Sequence, residues 1–132
     1  MDEVPLTDGG RSAVWRRGDT VLKETGPWAS TVHALLRHLE AVGFEGSPRV
    51  VGTGFDESGR EVVTFLEGES AHPHAWTEEA LPLLGRLLRD LHVATASFSI
   101  PRNATWRSWH GRRLGSATAI GHCDTGPWNV VA

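Results

Sequence analysis

The stretch WASTVHALLRHLEAVGFEGSPRVVGTGFDESGREVVTFLEGE, Trp28 to Glu69, changes its period once, and that change decides the fold. In its first half, Val32, Leu35, Leu36, Leu39 and Val42 recur at helical spacing, which predicts a helix over about 30–42 with one buried face. Ser30 is the expected N-cap and Gly43 the expected C-terminal stop. The second half switches to short β-rich runs. SPRVVGTGFD and REVVTFLEG read as two strands around the turn DESG.

Working upstream, VPLTDGGRSAVWRRGDTVLKET offers three short strands, at about 3–7, 12–17 and 20–25. DGG and RGD separate them, and both are good turn formers. The order β-β-β-α-β-β predicts an α+β fold with a five-stranded antiparallel sheet and one helix packed on it. Downstream, GESAHPHAW is rich in Gly, Pro, His and Ser and reads as a linker or hinge. TEEALPLLGRLLRDLHVATASF then carries Leu81, Leu84, Leu88 and Leu91 on one helical stripe. Thr77 is its expected N-cap, Glu78 and Glu79 suit its first turn, and Pro82 is tolerated only near the start. No internal repeat is present.

Composition narrows the function classes. With 132 residues the length prior is one domain, and the formal net charge of −3 argues against a general nucleic-acid binder. The locally basic WRSWHGRR reads as a solvated loop with aromatic anchors. The single cysteine, Cys123, excludes an internal disulfide and a multi-cysteine zinc site. The first residues carry acids where a secretory signal needs basic residues, and the longest apolar runs are far too short to span a bilayer. A cytoplasmic protein with no membrane partner is expected. His72, His74, His110 and His122 are scattered without metal-ligand spacing, which disfavours a metal hydrolase. Cys123 has no recognisable base partner, which disfavours a thiol nucleophile.

The run most suggestive of chemistry is HCDTGPWN, from His122 to Asn129. It has the H-x-D-x-x-x-x-N spacing of kinase-type catalytic loops. There a carboxylate accepts the proton of an attacking hydroxyl while an amide, a short loop away, holds magnesium on the phosphates. The competing reading is a polar, turn-rich segment that matches a loose pattern by chance. Lys23, in TVLKET, has the same two readings: a strand lysine aimed at nucleotide phosphates, or an ordinary edge-strand lysine.

Taken in order, these segments resemble the aminoglycoside phosphotransferase family, the small-molecule branch of the protein-kinase-like fold. The resemblance runs over essentially the whole chain and is carried most specifically by Trp28–Glu69, with HCDTGPWNVV. Within that family both runs are especially similar to phosphotransferase-like immunity proteins. The resemblance implies an N-lobe at 1–67, a hinge at 68–76 and a partial helical C-lobe at 77–132. It implies ATP or GTP and magnesium as cofactors and a small-molecule hydroxyl as phosphate acceptor. By position, Asp124 would be the catalytic base, with His122 bracing the loop and Asn129 holding magnesium. Lys23 would contact the phosphates, Gly9 and Gly10 would lie in the loop above the nucleotide, and Phe65, Leu66 and Glu67 would form the hinge beside the base.

Two departures are visible. Kinase folds pair the strand lysine with a helix glutamate, whereas the inward helix positions here include His33, and Glu40 lies near the helix end. Family members also continue past the catalytic loop into a hairpin with a second metal-binding aspartate. This reading therefore expects a truncated, impaired phosphotransferase, with Val130 and Val131 as an exposed strand edge able to self-associate. Its alternative is a catalytically silent nucleotide- or peptide-binding immunity or resistance protein. A small regulatory domain that docks a partner is the third.

Overall fold

The computed structural model describes residues 2–6, 12–107, 119–122 and 129–132. Five strands form one antiparallel sheet: β1 (Val4–Pro5), β2 (Val14–Arg17), β3 (Thr20–Lys23), β4 (Val50–Phe55) and β5 (Glu61–Thr64), in the order β1-β2-β3-β5-β4. Two helices, α1 (Ala29–Ala41) and α2 (Ala80–Thr95), complete the described elements. The α+β class and the five-stranded antiparallel sheet are thus as the sequence predicts. Lys23 lies on the central strand, so the edge-strand reading of it does not hold.

Helix α1 buries the face its periodicity marks. Leu36 and Leu39 pack with Val50 of β4 and Val63 of β5, and Val21, Val32, Leu35 and Phe44 close around them. Burying each such side chain contributes about 1.5–3 kcal/mol, so this seam fixes the helix on the sheet. The helix ends in a Schellman motif. The Phe44 amide donates to Leu39 O (2.9 Å) and the Gly43 amide to Glu40 O (3.1 Å), while the Phe44 ring joins the same core. Its start departs from expectation. Trp28 occupies the N-cap with no side-chain cap, and Ser30 falls inside the helix.

Between β4 and β5 the DESG turn is locked by Asp56. Its Oδ1 accepts from the amides of Ser58 and Arg60, both at 2.9 Å. The same Arg60 carries its guanidinium to Asp56 and to Glu3, and Arg17 also donates to Glu3. This network ties β1 to the β4–β5 turn. Hydrogen bonds from Arg60 and then Arg17 hold the Glu3 carboxyl down at about 2. A carboxyl depressed on folding adds stability above its unfolded value and loses it as pH falls through the folded value. Denaturation followed between pH 4.5 and about 2 should therefore show a steeper loss in the parent chain than in Glu3→Gln. Equal slopes would show that the network contributes nothing.

The second helix is less covered. Its N-cap is Glu79, with no side-chain cap, in place of the expected Thr77, which accepts from the Ala80 amide through O (3.1 Å) and Oγ1 (3.3 Å) in the turn before the helix. Leu84, Leu88 and Leu91 are half-buried, but Leu81 is 51% exposed and does not join the stripe. His38 joins the two helices: its Nε2 stands 2.8 Å from Ala94 O, and its ring lies 5.3 Å from that of Phe98. None of the described helices is long and apolar enough to cross a membrane.

Candidate functional site

Directly opposed residues in an antiparallel ladder share a face. The registers Arg16↔Val21↔Val63 and Val14↔Lys23↔Glu61 therefore put these six side chains on one side of the sheet. It is the side that α1 covers, because Val63 and Val21 belong to its core. Lys23 and Glu61 thus project beneath the helix. Lys23 is also the only lysine among the chain's 13 Lys and Arg residues, a signal that picks it out from sequence alone.

The helix residue facing this pair is His33. It is 5% exposed and Glu61 3% exposed, and Nε2 stands 3.0 Å from Oε1. The contact is close enough for an ion pair, although Nε2 lacks a partner aligned as a hydrogen bond. Burial pushes the imidazole below its usual range. The Glu61 carboxylate opposes that shift, while the charges of Lys23 and Arg37 add to it. His33 therefore sits neutral at pH 7 beside a buried acid. The ring is boxed in by Phe55, with centroids 4.9 Å apart, and by the Gly54 backbone. Glu40 is exposed near the C-terminal end of α1, two turns beyond His33. The acid next to the strand lysine comes from β5, not from the helix.

Toward the linker the same face ends at Phe65. Its amide donates to Asp19 O at 2.7 Å, extending the β3–β5 pairing by one bond. The Arg16 guanidinium lies 3.6 Å from the Phe65 ring centroid, donates to Glu67 Oε1 at 3.0 Å and to Gly18 O at 2.9 Å. Arg16 thereby covers one face of the Phe65 ring. The Leu66 and Glu67 backbone groups make no hydrogen bond among the described residues. Phe65, Leu66 and Glu67 thus follow β5, next to β3, which carries Lys23.

The remaining expected site residues divide into two sets. Gly9, Gly10 and Asp124 lie outside the described residues. His122 and Asn129 are described and exposed. Asn129 opens the segment that returns to the linker, where Ala132 and Glu69 exchange two backbone hydrogen bonds of 3.1 Å and Val131 bridges Ser70. Val131, expected on an exposed strand edge, is 39% exposed, with this pairing on one side of the segment. The described residues contain no cluster of three His, Cys, Asp or Glu able to hold a metal, and Asn129 supplies a single amide. A cleft of about 530 Å³ lies elsewhere, between the C-terminal ends of α1 and α2 beside Phe44, Asp90, Val93 and Ser97.

No protein-family description and no solved structure matches this chain. Its sequence is similar to that of a trifolitoxin immunity protein of Rhizobium leguminosarum bv. trifolii, 62% identical over 131 residues. The match takes in 98% of this chain and 50% of that protein, so the chain spans about half the length of the curated relative.

Proposed function

We propose that this chain is the nucleotide-binding part of an immunity or resistance factor of the phosphotransferase type. In this reading ATP or GTP lies at the margin of the sheet between Lys23 and the 65–67 segment, and its terminal phosphate passes to a hydroxyl of a small molecule. The supporting observation is Lys23, the only lysine, placed on the central strand beside a buried acid and beneath the helix. The name of the 62% identical relative supports the immunity role. The sequence HCDTGPWN supports the chemistry, with Asp124 as base, His122 bracing the loop and Asn129 on the metal. Magnesium, when bound, neutralises charge between phosphate oxygens. The kinase-like lobes at 1–67 and 77–132, hinged at 68–76, belong to the same proposal.

Titration calorimetry with ATP or GTP and magnesium tests it. Weak binding is expected, because Arg16 must leave Phe65 before a base can stack there. Lys23→Ala should weaken binding about tenfold, the loss of one charge-assisted phosphate contact. Tight binding indifferent to that change would place the site elsewhere. A radiolabelled-phosphate assay with Asp124→Ala as control then tests transfer.

A silent binding protein is the second reading. It is favoured by the helix presenting His33 instead of an acid, and by Arg16 seated on Phe65. Protection of toxin-sensitive cells separates the two. Protection lost in Asp124→Ala and in Lys23→Ala supports transfer, whereas protection surviving both supports sequestration.

A further inference from the structure

Glu61 poses a problem of charge. It is 97% buried by its 3% exposure, and a buried carboxylate is retained only where something compensates it. Three groups lie within electrostatic reach of the His33–Glu61 contact. They are His33 and Arg37 on α1 and Lys23 on β3; Gly54 and Phe55 of β4, which pack on the ring, bring no charge. His33 is neutral at pH 7. Arg37 spends a donor on Gly52 O at 2.8 Å and is exposed. Lys23 is the cation left, directly opposite Glu61 in the ladder, where facing Cβ atoms are about 4.5–5.5 Å apart. Its ammonium makes no ion pair within 4.0 Å among the described residues, so its donors stay available to an anion.

We infer that Glu61 is the positioning residue for Lys23, acting across the β3–β5 ladder, and that His33 clamps Glu61 from the helix. This rests on the reading of Lys23 as the phosphate contact. The lysine and its counter-charge then both belong to one rigid sheet. The clamp explains why β5 carries an acid at an inward position at all.

Because Lys23 is the only lysine, its amine can be followed alone. The intact chain is treated with acetic anhydride at pH 8, and the peptide containing Lys23 is quantified by mass spectrometry. Glu61→Gln removes the opposing charge and should raise the Lys23 acylation rate about threefold to tenfold, while Glu40→Gln leaves it unchanged. An unchanged rate in a folded Glu61→Gln chain overturns the inference. Should Glu61→Gln not fold, the reciprocal variant decides. Lys23→Met removes a nearby cation, so the His33 ring resonances should titrate at higher pH than in the parent chain. An unmoved titration also overturns the inference.

Nucleotide binding gives a separate arm. If Glu61 acts through Lys23, Lys23→Met/Glu61→Gln binds ATP no more weakly than Lys23→Met alone, whereas additive losses count against positioning. No ATP binding by the parent chain would defeat the nucleotide reading, and the acylation and titration arms would still judge the Lys23–Glu61 coupling.

Discussion

Replacing Gly54 with alanine should destabilise the fold by about 3 kcal/mol, from about 1–2 kcal/mol of backbone strain and a similar term for overpacking. Gly54 has φ +88°, a left-handed conformation that costs a residue with a side chain. An added Cβ would also collide with Nδ1 of His33 and stand 3.0 Å from Val50 Cγ1. A flexible side chain could swing away from such a collision. His33 cannot, because Glu61 stands 3.0 Å from its other nitrogen and Phe55 lies against its ring. Urea denaturation checks the size of the effect. The pair Gly54→Ala/His33→Ala separates its parts, since removing the ring should relieve the collision and leave the backbone strain. A loss below about 1 kcal/mol in Gly54→Ala would mean that His33 is not held as described, and the clamp on Glu61 would fall with it.

The elements readable from sequence were those whose signals are local. The helical spacing from Val32 to Leu39 and the turn DESG needed only neighbouring residues, and the structure keeps both. Gly43 marked the end of α1 for the same reason. Ser30 misled because a good capping side chain does not choose the cap when the chain can begin its helix two residues earlier; Trp28 takes the position instead. Leu81 misled because apolar spacing says which residues share a face, not how much of that face another element covers.

The site was less legible than the fold. Lys23 could be placed on a strand, but not on the central strand, since strand order depends on long-range pairing. Glu61 was missed altogether. In REVVTF the adjacent Val62 and Val63 leave the phase of the alternation open, and the ordinary choice turns a glutamate outward. Only the register with β3 and the ring of His33 reverse that choice. The aromatic–cation contact of Arg16 on Phe65 is likewise invisible in sequence, because the 48 intervening residues must fold before the two meet. The kinase-like assignment itself came from resemblance, and the geometry around Lys23 is what now makes it testable.

Gly68→Ala should cost about 2 kcal/mol, and the loss should be concentrated where the linker meets the segment that follows Asn129. Gly68 has φ +141°, in a region that side-chain-bearing residues rarely enter. Its Cβ would stand 3.0 Å from Val131 Cβ, 3.1 Å from Ala132 O and 3.2 Å from Ala132 N. Two of these three neighbours are backbone atoms engaged in the pairing of Ala132 with Glu69, so they can give way only by breaking it. Amide exchange measured by NMR reads this directly. Exchange at Glu69 and Ala132 should speed up roughly thirtyfold, the equivalent of about 2 kcal/mol, while amides of β3 and β5 change little. Equal acceleration throughout the sheet would make Gly68 an ordinary contributor to global stability. Local acceleration would show that this glycine holds Asn129 near the linker. Under the proposed function, nucleotide affinity in the presence of magnesium should then fall in the same variant, although Gly68 itself offers no side chain to the ligand.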